Sequence, residues 1–131
     1  MHPKVSIIIP TYNSEKFISK ALNSIKKQTM QAFEVLIVDA GSKDKTQEIC
    51  KLYDDRFVLQ ELTGSKQGEA RNLGIEIANA ELVMFLDSDD IFSDANVLND
   101  VVSKTQECDS DFYNFSVSFV KMRTNAVNYI Y

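Results

Sequence analysis

The chain has 131 residues, of which 44% are hydrophobic and 25% are charged, and its net charge at pH 7 is −5. This composition is typical of a globular protein, and the length suffices for one hydrophobic core but not for two domains. The acidic balance argues against the basic face of a nucleic-acid-binding protein, so we expect no nucleic-acid partner. No apolar run approaches the roughly 18 residues that a membrane-spanning helix needs, so we expect no transmembrane segment.

Apolar runs typical of strands alternate along the chain with stretches of helical periodicity. The predicted strands cover residues 5–9, 33–38, 57–62, 82–86 and 112–120. The predicted helices lie around residues 17–25, 49–53, 70–78 and 97–102. This alternation predicts an α/β fold, a three-layer α/β/α sandwich with a Rossmann-like, mostly parallel sheet.

Three chain segments with unusual chemistry follow predicted strands. They are residues 10–13, 39–42 and 87–90. In a doubly wound sheet with the strand order 3-2-1-4, the carboxyl ends of these strands open onto one crevice, where ligands bind. Tyr12 supplies a flat ring and a hydroxyl, Asp39 can accept a hydrogen bond from a base, and Gly41 allows close backbone approach. Asp39-Ala40-Gly41-Ser42 alone is consistent with a plain turn, but the three segments together predict a nucleotide site.

The third segment, Asp87-Ser88-Asp89-Asp90, places three carboxylates within four residues. Carboxylates this close repel one another, and a cation such as Mg²⁺ or Mn²⁺ relieves the repulsion. The alternative is a helix cap, because Asp89 or Asp90 can cap a helix that begins near Ile91. One aspartate suffices for a cap, so the cluster favours a metal site.

Several short motifs follow one another in the order that one family uses. They are VSIIIPTYN at residues 5–13, VDAGSKDKT at 38–46, GEARNLG at 68–74 and FLDSDD at 85–90, with Ser24-Ile25 and Gln28-Thr29 between the first two. On these motifs the chain resembles the N-terminal nucleotide-binding region of the family 2 glycosyltransferases, which are inverting enzymes with the GT-A fold. The resemblance runs from about Val5 to Phe92.

The resemblance implies a set of site residues. The implied nucleotide-binding residues are Pro10, Thr11, Tyr12, Asn13, Asp39, Gly41, Arg71, Asp87 and Ser88. Within this set, Asp39 would bind a uracil-type edge and Arg71 the base or the ribose. Asp89, with Asp87, would hold a divalent cofactor, Mn²⁺ or Mg²⁺. Ala40 departs from the family pattern, which often has a second aspartate there.

The resemblance also implies the reaction. A sugar would pass from a nucleotide-diphosphate donor, with a UDP-sugar favoured, to a saccharide or glycoconjugate acceptor, with inversion and with the help of the metal. Such a reaction would serve polysaccharide biosynthesis. The general base stays unassigned, because the family places it, with the acceptor-binding half, beyond the length of this chain. We therefore expect residues 1–131 to form one truncated nucleotide-binding domain.

Two alternatives remain open for this sequence. One is a catalytically silent module that binds a nucleotide sugar, and the other is a haloacid-dehalogenase-like phosphatase with Asp87 as the nucleophile. The phosphatase motif normally follows the first strand, whereas here it follows the fourth predicted strand.

Further expectations concern the surroundings of the protein. Cys50 and Cys108 belong to no cysteine cluster, which predicts reduced thiols and a cytoplasmic protein. We also expect that it can associate with the inner face of the membrane. Apolar residues near the end of the chain predict self-association to a homo-oligomer. These are Phe112, Phe115, Val117, Phe119 and Tyr129.

Overall fold

The computed structural model describes residues 2–107, 117–121 and 126–130. Within them, the elements in chain order are β1 (Val5–Thr11), α1 (Ile18–Lys26), β2 (Phe33–Asp39), α2 (Thr46–Cys50), β3 (Phe57–Glu61), α3 (Gln67–Ile77), β4 (Leu82–Phe85), β5 (Asp90–Phe92), α4 (Val97–Glu107), β6 (Val117–Lys121) and β7 (Ala126–Ile130).

The main sheet has four parallel strands in the order β3-β2-β1-β4. This order is the one that the sequence predicts. All seven residues of β1 and all seven of β2 are buried. Strands covered on both faces need apolar side chains on both, which explains their near-continuous apolar runs.

Helices cover both faces of this sheet, as predicted for a three-layer α/β/α fold. On one face, Ile7 of β1 belongs to a buried cluster that includes Leu22 of α1 and Leu98 of α4. On the other face, Ile8 lies under α3, close to the backbone of Gly74. Successive side chains of a strand point to opposite faces, so one strand serves both layers of helices.

The fourth strand differs from the buried strand that the sequence predicts for residues 82–86. Met84 and Leu86 are buried, but Phe85 is 43% exposed. The reason is position, because within the described residues β4 pairs with β1 alone and lies at the edge of the main sheet. The apolar run is as long as that of a buried strand, but only alternate side chains enter the core.

A second sheet differs from two further expectations, namely a helix that begins near Ile91 and a fifth strand in the main sheet. Asp90–Phe92 forms β5 and the next helix begins at Val97, so no helix begins near Ile91 as the capping alternative requires. Strand β5 pairs in parallel with β7, which pairs antiparallel with β6. The fifth predicted strand, residues 112–120, therefore contributes to this second sheet rather than to the main one. Residues 112–116 lie outside the described residues, as do the side chains of the apolar residues predicted to drive self-association.

Candidate functional site

A cavity of about 290 Å³ lies where β1 and β2 end and where α3 begins. Its lining comprises Pro10, Thr11, Tyr12, Ser14, Ala40, Ser65, Lys66, Gln67, Ala70 and Ser88. Pro10, Thr11, Tyr12 and Ser88 are among the residues that the sequence predicts to bind a nucleotide. The exits of β1, β2 and β4 thus meet at one concave edge, as the predicted strand order requires.

Direct hydrogen bonds connect the loops around this cavity. The hydroxyls of Ser14 and Ser88 are 2.8 Å apart, which joins the exit of β1 to that of β4. The backbone N–H of Asn13 donates to the Ser42 hydroxyl, and the N–H of Lys43 donates to Oδ1 of Asn13. Asn13 has a φ of +49°, a conformation that asparagine tolerates better than most residues. Asn13 therefore bridges two loops and is not part of the cavity lining, where the sequence predicts a nucleotide contact.

Asp39 lies at the end of β2, beneath the loop that follows, with none of its surface exposed. Oδ1 accepts hydrogen bonds from the hydroxyls of Thr11 and Ser42. Oδ2 accepts from the backbone N–H groups of Gly41 and Ser42 and from the side-chain amide of Gln47. Burial opposes ionisation, but these donors outweigh it and hold the pKa of Asp39 below its usual value.

The resemblance implies that Asp39 contacts a base, and this contact stays a prediction. A carboxylate that reads a base must face the cavity, whereas this one faces the inside of the loop and already accepts five hydrogen bonds. A contact with a base would require one of these donors to leave. In this structure Asp39 shapes the wall of the cavity.

Gly41 supports the same wall through its conformation. Its φ is +95°, which disfavours any residue with a side chain. A Cβ on Gly41 would also lie 3.0 Å from Cγ2 of Thr63. Two backbone hydrogen bonds hold the loop after β2 against the loop after β3. The N–H of Leu62 donates to the carbonyl of Asp39, and the N–H of Gly64 donates to the carbonyl of Ala40.

The carboxylates of Asp87, Asp89 and Asp90 form a cluster beside the cavity. One oxygen of each lies within 4.8 Å of one oxygen of the others. Asp87 and Asp89 are exposed and Asp90 is buried. Carboxylate oxygens are the ligands that Mg²⁺ and Mn²⁺ prefer, so the donor set fits a hard divalent cation. The sequence predicts Asp87 and Asp89 as ligands, and Asp90 joins them because β5 begins at that residue.

Arg71 lies next to this cluster and outside the cavity lining. Its Nη2 is 3.1 Å from Oδ1 of Asp87, and its guanidinium carbon is 5.9 Å from the centre of the Phe85 ring. Both partners of the ion pair are partly exposed, so the pair contributes little to stability. The expected contact of Arg71 with a base or ribose stays a prediction.

Besides Ser14 and Ala40, which adjoin predicted site residues, sequence reasoning missed four residues of the lining, namely Ser65, Lys66, Gln67 and Ala70. They lie at the beginning of α3 and just before it. The GEARNLG motif marks this helix, but Arg71 alone of its residues is among the predicted site residues. One signal was available, because a helix that follows a parallel strand begins at the carboxyl edge of the sheet, where the crevice lies.

Two other expectations can be checked against the described residues. Cys50 is buried and free, as predicted, whereas Cys108 lies outside the part described. None of the described helices has the length and apolar character needed to cross a bilayer.

Comparison with known proteins identifies relatives of the chain. Residues 6–129 match the family model "Glycosyl transferase family 2". Glycosyltransferase GlyG of Streptococcus pneumoniae is 34% identical over 127 residues, which make up 90% of this chain and 42% of GlyG. Poly(ribitol-phosphate) beta-N-acetylglucosaminyltransferase TarS of Staphylococcus aureus is 37% identical over 126 residues, which make up 92% of this chain and 21% of TarS. The chain thus spans less than half the length of these relatives.

Solved structures show the same similarity in three dimensions. The crystal structure of TarS residues 1–349 with UDP-GlcNAc has a TM-score of 0.74 and 37% identity, and the match covers 79% of this chain and 31% of that one. The mannosyltransferase PcManGT of Pyrobaculum calidifontis, in complex with GDP-Man and Mn²⁺, has a TM-score of 0.68 and 26% identity. That match covers 93% of this chain and 36% of the other. With the family model covering nearly its whole length, the chain belongs to glycosyl transferase family 2 and has the GT-A fold.

Proposed function

We propose that this chain binds a nucleotide-diphosphate sugar and supplies the donor site of an inverting, metal-dependent glycosyltransferase. The observation that carries the proposal is the cavity at the ends of β1 and β2, which adjoins a cluster of three carboxylates. The cavity fits a nucleoside, and the carboxylate cluster fits a metal-bound diphosphate. Neighbours with bound UDP-GlcNAc and GDP-Man support a nucleotide sugar as the ligand.

A divalent cation resolves an electrostatic conflict at this site. The chain has a net charge of −5, and a diphosphate brings further negative charge to a cluster of carboxylates. Asp89 and Asp87, with Asp90 beside them, would hold Mn²⁺ or Mg²⁺. The ion supplies charge stabilisation for the departing diphosphate. The Mn²⁺ in the PcManGT complex supports this assignment.

The protein side chains then bind and orient the nucleotide. Tyr12 is 58% exposed and presents its ring at the cavity, where it can stack on a base. Pro10 and Thr11 form the adjoining wall, and Ser88 lies between that wall and the carboxylates. We favour a UDP-sugar, because the TarS complexes with UDP-GlcNAc and with UDP come from a relative that is more similar than PcManGT.

The acceptor site and the general base form a separate part of the proposal. Inversion requires a base that takes a proton from the acceptor hydroxyl. We place that base and the acceptor-binding half outside residues 1–131, so that these residues act as one donor-binding domain. A silent module that binds a nucleotide sugar is the second candidate. Polysaccharide assembly, a cytoplasmic location at or near the membrane, and a homo-oligomeric state stay predictions.

Calorimetric titration with UDP tests the proposal. We expect UDP to bind in the presence of Mn²⁺ and its affinity to fall by about tenfold or more when the metal is chelated, the equivalent of losing about 1.4 kcal/mol. Asp89→Ala should cause a similar loss because it removes a metal ligand. Asp55→Ala is the matched control, since Asp55 lines a different cavity, together with His2 and Glu34.

Three results would count against parts of the proposal. UDP affinity that is unaffected by chelation would contradict the metal-dependent site. Sugar transfer by this chain alone would show that the base lies within residues 1–131. Release of phosphate from a simple phosphomonoester, abolished by Asp87→Asn, would favour the phosphatase alternative.

A further inference from the structure

One buried hydroxyl in the wall of the cavity has no hydrogen bond to any residue that the structure describes. The Oγ atom of Ser65 is buried and has no hydrogen-bond partner among the described residues. Ser65 is nevertheless one of the residues that line the cavity. Most buried polar side-chain atoms in proteins are hydrogen-bonded, and an exception at a ligand cavity indicates a group reserved for the ligand.

The backbone holds Ser65 in place. Its N–H donates to the carbonyl of Leu62 at 3.1 Å, and the preceding residue, Gly64, donates to the carbonyl of Ala40 at 3.0 Å. The loop is therefore fixed against the end of β2. A serine hydroxyl can still turn between staggered rotamers, so it can meet a ligand without movement of the loop.

Three neighbouring hydroxyls in this wall are already engaged. The Thr11 hydroxyl donates to Asp39, and the hydroxyls of Ser14 and Ser88 bond to each other. Gln67 is exposed, so its contacts compete with water. Ser65 combines burial with unused capacity both to donate and to accept.

The strand order decides which part of a nucleotide reaches Ser65. The carboxylate cluster follows β4, at one side of the main sheet, whereas Ser65 follows β3, at the other side. From β4 across β1 to β2 is a distance of about 10 Å, since neighbouring strands are about 4.8 Å apart. A diphosphate at the cluster therefore points its nucleoside across β1 and brings the base to the wall that Ala40 and Ser65 form.

We propose that Ser65 determines nucleotide affinity by hydrogen-bonding the polar edge of the base, an inference that rests on the proposed nucleotide-binding function. Asp39 then acts indirectly, because it shapes the loop against which the Ser65 segment packs. A ligand without a base leaves the Ser65 hydroxyl as it is in the free chain and gains no affinity from it.

The test compares Ser65→Ala with Ser93→Ala in the presence of Mn²⁺. Ser93 is a matched control, because its hydroxyl is also buried and unpartnered among the described residues but it does not line the cavity. Two probes are used. One is whichever of UDP, CDP and GDP binds most tightly to the unsubstituted chain, and the other is ribose 5-phosphate, which has no base. We expect Ser65→Ala to weaken the nucleoside diphosphate by about three- to tenfold, the usual value of one hydrogen bond, and to leave ribose 5-phosphate unchanged. Ser93→Ala should change neither.

The thermal midpoint without ligand gives a second readout. Ser65→Ala removes an unpaired buried hydroxyl, so the midpoint should not fall even though binding weakens. Equal binding by both variants, or an equal loss for ribose 5-phosphate, would overturn the inference while leaving the proposed function intact. If the unsubstituted chain bound none of the three nucleotides, both would fail.

Discussion

Asp39 connects three parts of the site through a single carboxylate. Its donors come from β1 at Thr11, from the following loop at Gly41 and Ser42, and from α2 at Gln47. Bonds to an ionised acceptor are the stronger class of hydrogen bond, and here they are shielded from water. The shape of the cavity wall therefore depends on the charge of a residue that does not itself line the cavity.

Replacing Asp39 by asparagine should destabilise the fold. The amide NH₂ group of asparagine must replace one of the two carboxylate oxygens, both of which accept hydrogen bonds. The NH₂ group is itself a donor, so it would point at other donors and leave them without an acceptor. We expect a loss of about 1.5–3 kcal/mol in the free energy of unfolding, measured by urea denaturation at pH 7. Asp55→Asn changes the same charge at an exposed position and should stay within about 0.5 kcal/mol. A loss equal to that of the control would show that the five bonds contribute nothing net.

At the residue scale, the sequence predicted the location of the site better than it predicted the contacts of each side chain. Pro10, Thr11, Tyr12 and Ser88 line the cavity as expected, because strand exits fix their position. The hydrogen bonds of Asp39 could not be predicted, since their donors come from α2 and from the loop after β2 as well as from β1. Ser65 was missed for a related reason, because an unpaired buried hydroxyl can be recognised only when its neighbours in space are known.

Helix α3 is the element that brings the lining residues Ser65, Lys66, Gln67 and Ala70 to the cavity. It packs so closely on β1 that a Cβ on Gly74 would lie 2.5 Å from Cγ2 of Ile8 and 2.8 Å from Cγ1. Ile8 is completely buried, so it has no free space into which to move. The glycine thus sets the depth of the helix and, with it, the positions of Ser65, which precedes the helix, and of Arg71 within it.

Gly74→Ala should therefore destabilise the chain although alanine favours a helix. The clash with Ile8 costs about 1–3 kcal/mol, against a gain of up to about 1 kcal/mol in helix propensity. We expect a net loss of about 1–2 kcal/mol by urea denaturation. Gly68→Ala, in the first turn of the same helix, has nothing within 4 Å of its added Cβ and should be neutral or stabilising. Equal effects at both positions would contradict the close packing.

At the element scale, periodicity predicted the helices, and the doubly wound arrangement predicted the order of the first four strands. The observed order confirms this prediction. It was predictable because βαβ units leave few alternatives for a chain of this pattern. The exposure of Phe85 and the second sheet were not predicted. Whether an apolar strand is central or at an edge depends on which strands pair with it, and the three residues of β5 are too few for periodicity to show.

The two ends of the main sheet are each held by a buried carboxylate. At the carboxyl end this is Asp39, and at the other end it is Glu34. Glu34 accepts hydrogen bonds from the Ser6 hydroxyl and from the backbone and side-chain amides of Asn79, which joins β1 and β2 to the segment before β4. Burial opposes the ionisation of Glu34, but these donors outweigh it and lower its pKa below the usual 4.5.

Lowered pKa values at both ends of the sheet predict loss of stability in acid. A carboxylate whose pKa is lower in the folded chain stabilises it fully above the unfolded value, and this contribution disappears as the pH falls through the folded pKa. We expect the free energy of unfolding to be flat from about pH 7 to 5 and to fall below about pH 4.5, measured by urea denaturation at each pH.

Glu34→Gln should cost about 1–3 kcal/mol in the free energy of unfolding at pH 7. It should also make the decline in acid shallower, because glutamine does not titrate and so adds nothing to the pH dependence. Glu48→Gln, which removes the same charge from an exposed position on α2, corrects for net charge. An acid decline as steep in Glu34→Gln as in Glu48→Gln would show that the amino end of the sheet does not depend on the ionised Glu34.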